Sequence, residues 1–180
     1  AASEHHGEIE LYVVMVPNGQ LTPRLFALGE GDRVHVLPRM LGDFLLETPA
    51  DARVALIGTG TGLAPYLSMV RTHLGPDDTR RFAVFHGVRT SDELGFRSEL
   101  ESRAAADDRL AYLPCIDQPQ DDPDWTGLRG WAQEHWTGGT FAEALGGAPS
   151  PTDTHVYLCG NPLMFDAMKE LLLSEGYALH

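Results

Sequence analysis

The chain has 180 residues, a formal net charge of −13 and two cysteines, a length that suits one full domain, or one domain with a fragment of another. The acidic balance disfavours nucleic acids and anionic membrane surfaces as partners, and the sequence shows neither an apolar run long enough to span a bilayer nor a signal peptide, which predicts a cytoplasmic protein. Cys115 and Cys159 cannot build a four-cysteine zinc or iron–sulfur site, so we predict no metal centre, and the adjacent His5 and His6 are expected to be solvated surface.

The first part of the chain predicts β structure around one short helix. Residues 8–16 are rich in β-branched and aromatic types, which favours a strand that ends at the turn 17–19. Thr22 is predicted to cap a helix of one or two turns, which residues 29–32 end. Residues 33–37 and 42–46 predict two further short strands. These elements are too few for a closed barrel.

From residue 49 onward strand and helix patterns alternate, which predicts a parallel sheet covered on both faces. The sequence therefore predicts an α/β fold with an open, mainly parallel sheet flanked by helices and preceded by a partial antiparallel β segment, with domains at 1–48 and 49–180. Ser91 is predicted to cap the second helix. The predicted strands are 54–57, 82–86, 110–115 and 155–159, the predicted helices are 62–74, 91–106, 139–146 and 163–174, and residues 117–137 are predicted to be irregular.

A glycine-rich turn joins the first of these strands to its helix. Gly58, Gly60 and Gly62 allow a tight turn and close approach of a ligand to the backbone, and the helix that follows would direct free N–H groups at an anion. The spacing departs from the G-x-G-x-x-G dinucleotide fingerprint, because the third glycine comes one residue early. A nucleoside-triphosphate loop is excluded, since no Gly-Lys-Ser/Thr follows. The turn predicts a phosphate site of another kind.

Four segments, in order, resemble motifs of the ferredoxin-NADP reductase family. GTGTGLAPYLSM from residue 58 is similar to its nucleotide pyrophosphate loop, and HGVRTSDEL at 86–94 to its adenosine-side segment. YLCGNPLM at 157–164 resembles its nicotinamide-side turn, and LYVVMVPNGQLTPRL at 11–25 its second FAD motif. The resemblance spans almost the whole chain.

The resemblance implies roles for individual residues. It places Cys159 beside the reactive carbon of the nicotinamide, where the residue would position the ring for hydride transfer. The residues implied to bind the nicotinamide nucleotide are Gly58, Thr59, Gly60, Thr61, Gly62, Leu63, Ala64, Pro65, Val88, Arg89, Asp117, Gln118, Gly160, Asn161, Pro162 and Met164. Those implied to bind FAD are Tyr12, Val13, Val14, Gln20, Leu21 and Thr22.

Two family features fall outside this sequence: the first FAD motif, Arg-x-Tyr-Ser, would precede residue 1, and an aromatic C-terminal extension would follow residue 180. We therefore expect a nucleotide-binding domain with the trailing part of a flavin domain. Such a fragment is expected to be inactive alone and not to retain FAD. Its strand at 8–16 would present an unpaired edge that invites pairing with a second copy.

The identity of the nicotinamide nucleotide depends on Arg89. A cation at this point fits a 2′-phosphate, and the alternative is a surface arginine paired with Asp92 or Glu93. Other phosphate-binding arginines of the family are replaced here, by Asp117 and Gln118 and by Gly139. The resemblance favours NADP(H) over NAD(H) as the cofactor, beside FAD.

The function implied is that of a flavoenzyme reductase, which transfers a hydride between NADP(H) and FAD and then electrons to ferredoxin or flavodoxin. One alternative is the NADH-dependent reductase component of an oxygenase. Another is a nucleotide-binding regulatory module without turnover.

Overall fold

A five-stranded parallel sheet forms the centre of the molecule, as the computed structural model of residues 9–36 and 42–179 shows. Its strands are β1 (Arg53–Thr59), β2 (Arg81–Val88), β3 (Leu110–Ile116), β4 (Leu128–Arg129) and β5 (Thr154–Cys159), arranged in the order β4-β3-β2-β1-β5. All four strand pairs are parallel. The predicted open parallel sheet flanked by helices is confirmed.

The helices of the described residues are α1 (Thr22–Phe26), α2 (Leu63–His73), α3 (Arg97–Ala106), α4 (Ala132–Thr137), α5 (Thr140–Ala144) and α6 (Pro162–Ser174), with 3₁₀ turns at Gly60–Gly62 and Ser91–Glu93. Those from α2 onward cover the two faces of the sheet, whereas α1 has no buried residue. Successive strand side chains point to opposite faces, so Val84 packs on the side of α2 and α3, whereas Phe85 packs with Phe141 and Met168 of α5 and α6. Burial on both faces explains why the interior of β1 reads as one apolar run.

The second predicted helix is shorter than expected, and the prediction that Ser91 caps it is wrong. Residues 91–93 form a separate 3₁₀ turn, and the Ser91 N–H donates to Asp122 Oδ2 at 2.8 Å. Phe96 adopts a φ of 59°, in the left-handed region that interrupts a helix. Its ring contacts Tyr12 edge-on, with 5.4 Å between centroids, so a tertiary contact accompanies the break. Helix α3 therefore starts at Arg97.

The stretch predicted to be irregular, 117–137, contains the short strand β4 and helix α4. Its aromatic residues explain why regular structure forms here, because Trp125 and Trp136 are both buried. The ring of Trp136 packs against that of Phe141 in α5, with 5.2 Å between the centroids. Local composition favoured a loop here, and tertiary burial of the tryptophans overrides it.

The predicted strands of the first part of the chain do not form in the described residues. Residues 10–16, 33–36 and 42–46 are irregular, and Ile9 makes an isolated bridge; residues 8 and 37 lie outside the described ranges. A strand needs a neighbour to bind its backbone groups, and Leu11, Val14 and Met15 are exposed rather than packed on another layer. Thr22 is the first residue of α1 and not its cap; its Oγ1 accepts a hydrogen bond from Val16 N–H at 3.0 Å.

Candidate nucleotide-binding site

The glycine-rich turn lies at the carboxyl end of β1, at the point where the strand order reverses. The chain passes from β1 to β2 on one side and later returns to place β5 on the other side of β1. A crevice at such a reversal is where open α/β sheets bind ligands. Gly58 of β1 is paired with Cys159 of β5, so the two predicted ligand-binding turns leave the sheet side by side.

Glycine is required in this turn for two different reasons. Gly60 has a φ of 52°, which side chains with a Cβ rarely adopt. A Cβ on Gly62 would overlap the carbonyl oxygen of Cys159, so the start of α2 can approach β5 only without one. Leu63, Ala64 and Pro65 form the first turn of α2, and the N-cap residue Gly62, just before the helix, provides no side-chain cap. The turn therefore presents backbone at close range to the crevice.

The second turn follows β5 and is joined to the first by a hydrogen bond. The Asn161 N–H donates to Thr59 Oγ1 at 2.7 Å. Gly160 has a φ of 137°, and a Cβ there would overlap the same threonine oxygen. Asn161 Oδ1 then caps α6 by accepting from Leu163 N–H at 2.8 Å. The structure thus brings Thr59, Gly62, Gly160 and Asn161 into one constellation.

Cys159 is the last residue of β5, and its free thiol is half-buried against the core cluster that includes Tyr66. Burial raises its pKa, so the thiol is protonated at neutral pH. A protonated thiol is a poor nucleophile. This environment suits the predicted positioning role, in which the residue touches the reacting ring without forming a bond to it. Pro162 and Met164 follow in the first turn of α6.

The adenosine-side residues also come together. The Asp117 N–H donates to Val88 O and the Gln118 N–H to Arg89 O, both at 3.0 Å, so the ends of β2 and β3 form one rim of the site. Arg89 is exposed, and its guanidinium forms an ion pair with Glu93. Partial burial and the charge of Glu93 raise the pKa of Asp117. The cation predicted to bind a 2′-phosphate therefore stands among carboxylates.

The residues predicted to bind FAD are more dispersed. Tyr12 packs on the adenosine-side segment: its hydroxyl donates to Glu93 O at 2.9 Å and accepts from Gly95 N–H at 3.2 Å. Val13 is half-buried, whereas Val14, Gln20 and Leu21 are exposed. Thr22 holds the turn 16–22 through Val16.

Sequence reasoning missed two side chains that contact the site from within the sheet. His86 of β2 lies with Nε2 3.1 Å from Gly60 O, and Tyr112 of β3 lies with its hydroxyl oxygen 3.2 Å from His86 Nδ1. The alternation of side chains along a strand could have identified His86. Residues 82, 84 and 86 lie on the same side of β2, so His86 is on the face that α2 covers, with Phe82 and Val84.

Within the described ranges, no three His, Cys, Asp or Glu side chains are grouped so as to hold a metal ion, and no helix is long and apolar enough to cross a membrane. His5 and His6 lie outside these ranges.

Comparison with known proteins gives the relatives of this site. The chain is 30% identical over 166 residues to a flavodoxin/ferredoxin-NADP reductase of Shigella flexneri, covering 90% of this chain and 65% of the relative. It is 33% identical over 165 residues to the reductase component DmpP of a Pseudomonas phenol 2-monooxygenase, covering 89% of this chain and 43% of the relative. The chain thus spans only part of the length of each.

Structural comparison agrees on the fold. A crystal structure of a ferredoxin NADP+ reductase from Neisseria gonorrhoeae, with bound FAD and NADP, superposes with a TM-score of 0.77 at 24% identity, covering 92% of this chain and 66% of that one. The family model of the oxidoreductase NAD-binding domain matches residues 56–170, which hold both turns of the crevice. The chain belongs to this oxidoreductase NAD-binding domain family, and its relatives include the ferredoxin-NADP reductases.

Proposed function

We propose that this chain is the nicotinamide-nucleotide-binding part of a flavin-dependent reductase, which passes a hydride between NADP(H) or NAD(H) and FAD and then electrons to ferredoxin or flavodoxin. One observation carries the proposal: the glycine turn after β1 and the turn after β5 are hydrogen-bonded to each other at the reversal of strand order. The relatives named as flavodoxin/ferredoxin-NADP reductases support the choice of electron partner.

The geometry fits a dinucleotide, because the absence of a Cβ at Gly62 and Gly160 lets the two turns approach each other closely, and Gly60 adopts a φ that favours glycine. In this proposal Gly60, Thr61 and Gly62 bind the pyrophosphate through backbone N–H groups, helped by the start of α2. Cys159 and Gly160 position the nicotinamide ring. The bound nucleotide supplies the hydride, and the protein supplies orientation.

The rest of the predicted site completes the proposal. The rim formed by Val88, Arg89, Asp117 and Gln118 takes the adenosine end. Residues 1–48 belong to a flavin domain and residues 49–180 to the nucleotide domain; the sheet that starts at Arg53 and the lack of strands in residues 10–36 and 42–48 support this boundary. We further propose a cytoplasmic location, which the two free thiols support.

A second candidate is the NADH-dependent reductase component of an oxygenase. The ion pair between Arg89 and Glu93 favours it, because a 2′-phosphate would have to compete with this carboxylate for the guanidinium. The relative from a phenol 2-monooxygenase system is consistent with this choice. The two candidate functions use the same pyrophosphate-binding turns and differ in whether Arg89 binds a 2′-phosphate.

Scanning calorimetry of the 180-residue chain with NADPH and with NADH tests the proposal. A ligand that binds only the folded state increases the free energy of unfolding and so raises the melting temperature. The increase is about 2.7 kcal/mol when the ligand is at one hundred times its Kd. We expect a rise with at least one nucleotide at millimolar concentration, and the larger rise identifies the cofactor. If neither nucleotide changes the melting temperature, the proposed function is wrong.

A further inference from the structure

A fully buried histidine lies directly beneath the glycine turn, and the roles proposed above leave it unused. His86 is opposite Gly58 of β1 and Pro114 of β3 in the sheet. Its side chain lies on the face that α2 and α3 cover, because it follows Phe82 and Val84 at intervals of two residues. A buried polar side chain in a sheet needs hydrogen-bond partners, and both of its ring nitrogens have one.

These partners determine which nitrogen carries the proton. Gly60 O can only accept, so the Nε2–H of His86 donates to it over 3.1 Å. In the neutral ring Nδ1 is then an acceptor, and the Tyr112 hydroxyl donates to it over 3.2 Å. Burial lowers the pKa of His86 to about 4, so the ring is neutral at neutral pH. The Tyr112 hydroxyl thus donates to His86, and His86 donates to the Gly60 carbonyl.

The orientation of the Gly60 carbonyl has a consequence for the next peptide group. In a trans peptide the C=O of one residue and the N–H of the following residue point in opposite directions, and the described residues contain no cis peptide bond. With Gly60 O directed at His86 inside the sheet, the Thr61 N–H is directed away from the sheet, toward the crevice. The Leu63 N–H also donates to Gly60 O across the 3₁₀ turn, so His86 is the second donor to this carbonyl and the one that comes from the sheet. Both restrain a residue that has the widest choice of backbone conformations.

We propose that His86, held in one tautomer by Tyr112, is a positioning residue for the phosphate-binding turn: it fixes the Gly60 peptide so that the Thr61 N–H meets the pyrophosphate of the bound nucleotide. The inference rests on the proposed function. Because the pyrophosphate is common to NADPH and NADH, His86 affects both nucleotides equally, unlike Arg89.

Four forms of the 180-residue chain test this: the wild type, His86→Leu, His86→Asn and His86→Gln. A glutamine amide extends about as far as Nε2 and can donate to Gly60 O, whereas an asparagine amide extends only about as far as Nδ1. Isothermal titration calorimetry with NADPH and with NADH measures each affinity. We expect His86→Asn and His86→Leu to weaken both nucleotides about tenfold, and His86→Gln to stay within about threefold of the wild type.

The contrast between the amide variants separates positioning from packing. If wild-type chain binds and His86→Asn binds as tightly, this inference is overturned and the proposed function stands. Equal losses in all three variants together with a lower melting temperature also overturn it, since they indicate a structural role alone. If the wild type binds neither nucleotide, the proposed function fails and the inference fails with it.

Tyr112 provides a second test that leaves the sheet interior intact. Tyr112→Phe removes the hydroxyl that donates to Nδ1, so the imidazole can take either tautomer and spends less time as a donor to Gly60 O. We expect both nucleotide affinities to fall about two- to threefold at an unchanged melting temperature. An unchanged affinity would contradict the proposed link between Tyr112 and the turn, even if the His86 variants do not fold.

Discussion

At the scale of single residues, the choice between NADPH and NADH depends on Arg89. Its guanidinium is exposed and paired with Glu93; this pairing, and to a smaller extent the charges of Asp117 and Asp92, raise the pKa of Arg89. The sequence predicted two alternatives for this arginine, and the structure contains the pairing with Glu93. A 2′-phosphate would have to displace that carboxylate.

We expect Arg89→Ala to weaken NADPH about threefold to tenfold and NADH by less than twofold, because only NADPH carries the group that the guanidinium would bind. Titration calorimetry measures both. Glu93→Gln is the matched control: it removes the competing charge and should strengthen NADPH relative to NADH. Equal losses of both nucleotides in Arg89→Ala would remove this residue from the phosphate site.

Cys159 is expected to act in hydride transfer more than in affinity. In the full-length reductase that we propose, Cys159→Ala should lower the rate of flavin reduction at saturating nucleotide at least tenfold and leave the Kd within about twofold, since the proposed role of the side chain is to contact the ring and not the adenosine end. Stopped-flow absorbance at the flavin band gives both quantities. A transfer rate equal to that of the wild type would leave Cys159 as a packed thiol at the end of a strand.

How well a residue's role can be predicted from sequence depends on whether its function is local. Gly58, Gly60 and Gly62 form a pattern within five residues, so their turn is visible without the fold. His86 is hydrogen-bonded to Gly60 O from the neighbouring strand β2, and in the sequence a lone histidine in an apolar strand resembles any core residue. The pairing of its strand with β1 is what reveals its partner.

At the scale of elements, strands buried on both faces are the best predicted, because an uninterrupted apolar run identifies them without knowledge of neighbours. Strands β1, β2, β3 and β5 extend at most three residues beyond the predicted ranges. The strands predicted at 8–16, 33–37 and 42–46 depend on neighbouring strands, and the described residues of these ranges are irregular apart from the bridge at Ile9. The helix predicted from Ser91 is interrupted at Phe96, where a left-handed backbone conformation accompanies a tertiary contact with Tyr12.

The close approach of α2 to β5 can be tested at Gly62. A Cβ there would overlap the backbone of Cys159, which cannot yield as a flexible side chain would. We expect Gly62→Ala to lower the free energy of unfolding by about 2 kcal/mol and to abolish measurable nucleotide binding. Urea denaturation and calorimetry measure the two effects.

Gly75→Ala is the matched control, because a Cβ there meets nothing within 4 Å. This variant should be as stable as the wild type or slightly more stable, since alanine restricts the unfolded chain. Equal behaviour of the two variants would mean that α2 can shift away from β5 without consequence.

At the scale of the whole molecule, acid stability reflects the buried histidine. The folded pKa of His86, about 4, is below its ordinary value of 6.5, so the unfolded chain takes up a proton first and stability is lost as the pH falls from 6.5 toward 4. At pH 5 the protonation of His86 in the unfolded chain lowers the free energy of unfolding by about 2 kcal/mol. Urea unfolding at pH 7 and pH 5 measures the loss.

The His86→Gln variant isolates this contribution, because glutamine does not titrate. Its stability should fall less between pH 7 and pH 5. A part of the loss remains through His73, whose pKa burial also lowers. An identical pH dependence in wild type and variant would show that His86 is not the group responsible.

The 180-residue chain is expected not to retain FAD. Gln20 and Leu21 of the predicted pyrophosphate turn are exposed, and a few hydrogen bonds of about 1 kcal/mol each cannot hold a flavin. Absorbance after desalting measures flavin content. About one FAD per chain would contradict the prediction and would indicate that a second copy completes the site.

Self-association of the same chain remains a prediction, with an altered cause. The described residues 10–16 form no strand edge, but Leu11, Val14 and Met15 expose apolar surface in its place. Light scattering after size-exclusion chromatography should give a mass above that of one chain at high concentration. A monomer at every concentration would show that this surface is tolerated in water.

The bond between Thr59 and Asn161 joins residues 102 positions apart, so it sets an order of events during folding. A contact of such sequence separation forms late, after local helices and the pairing of β1, β2 and β3. We therefore expect the chain to gain its affinity for nucleotide only when β5 docks beside β1, which requires synthesis past residue 161. Binding of a nucleotide to the growing chain would report completion of the sheet.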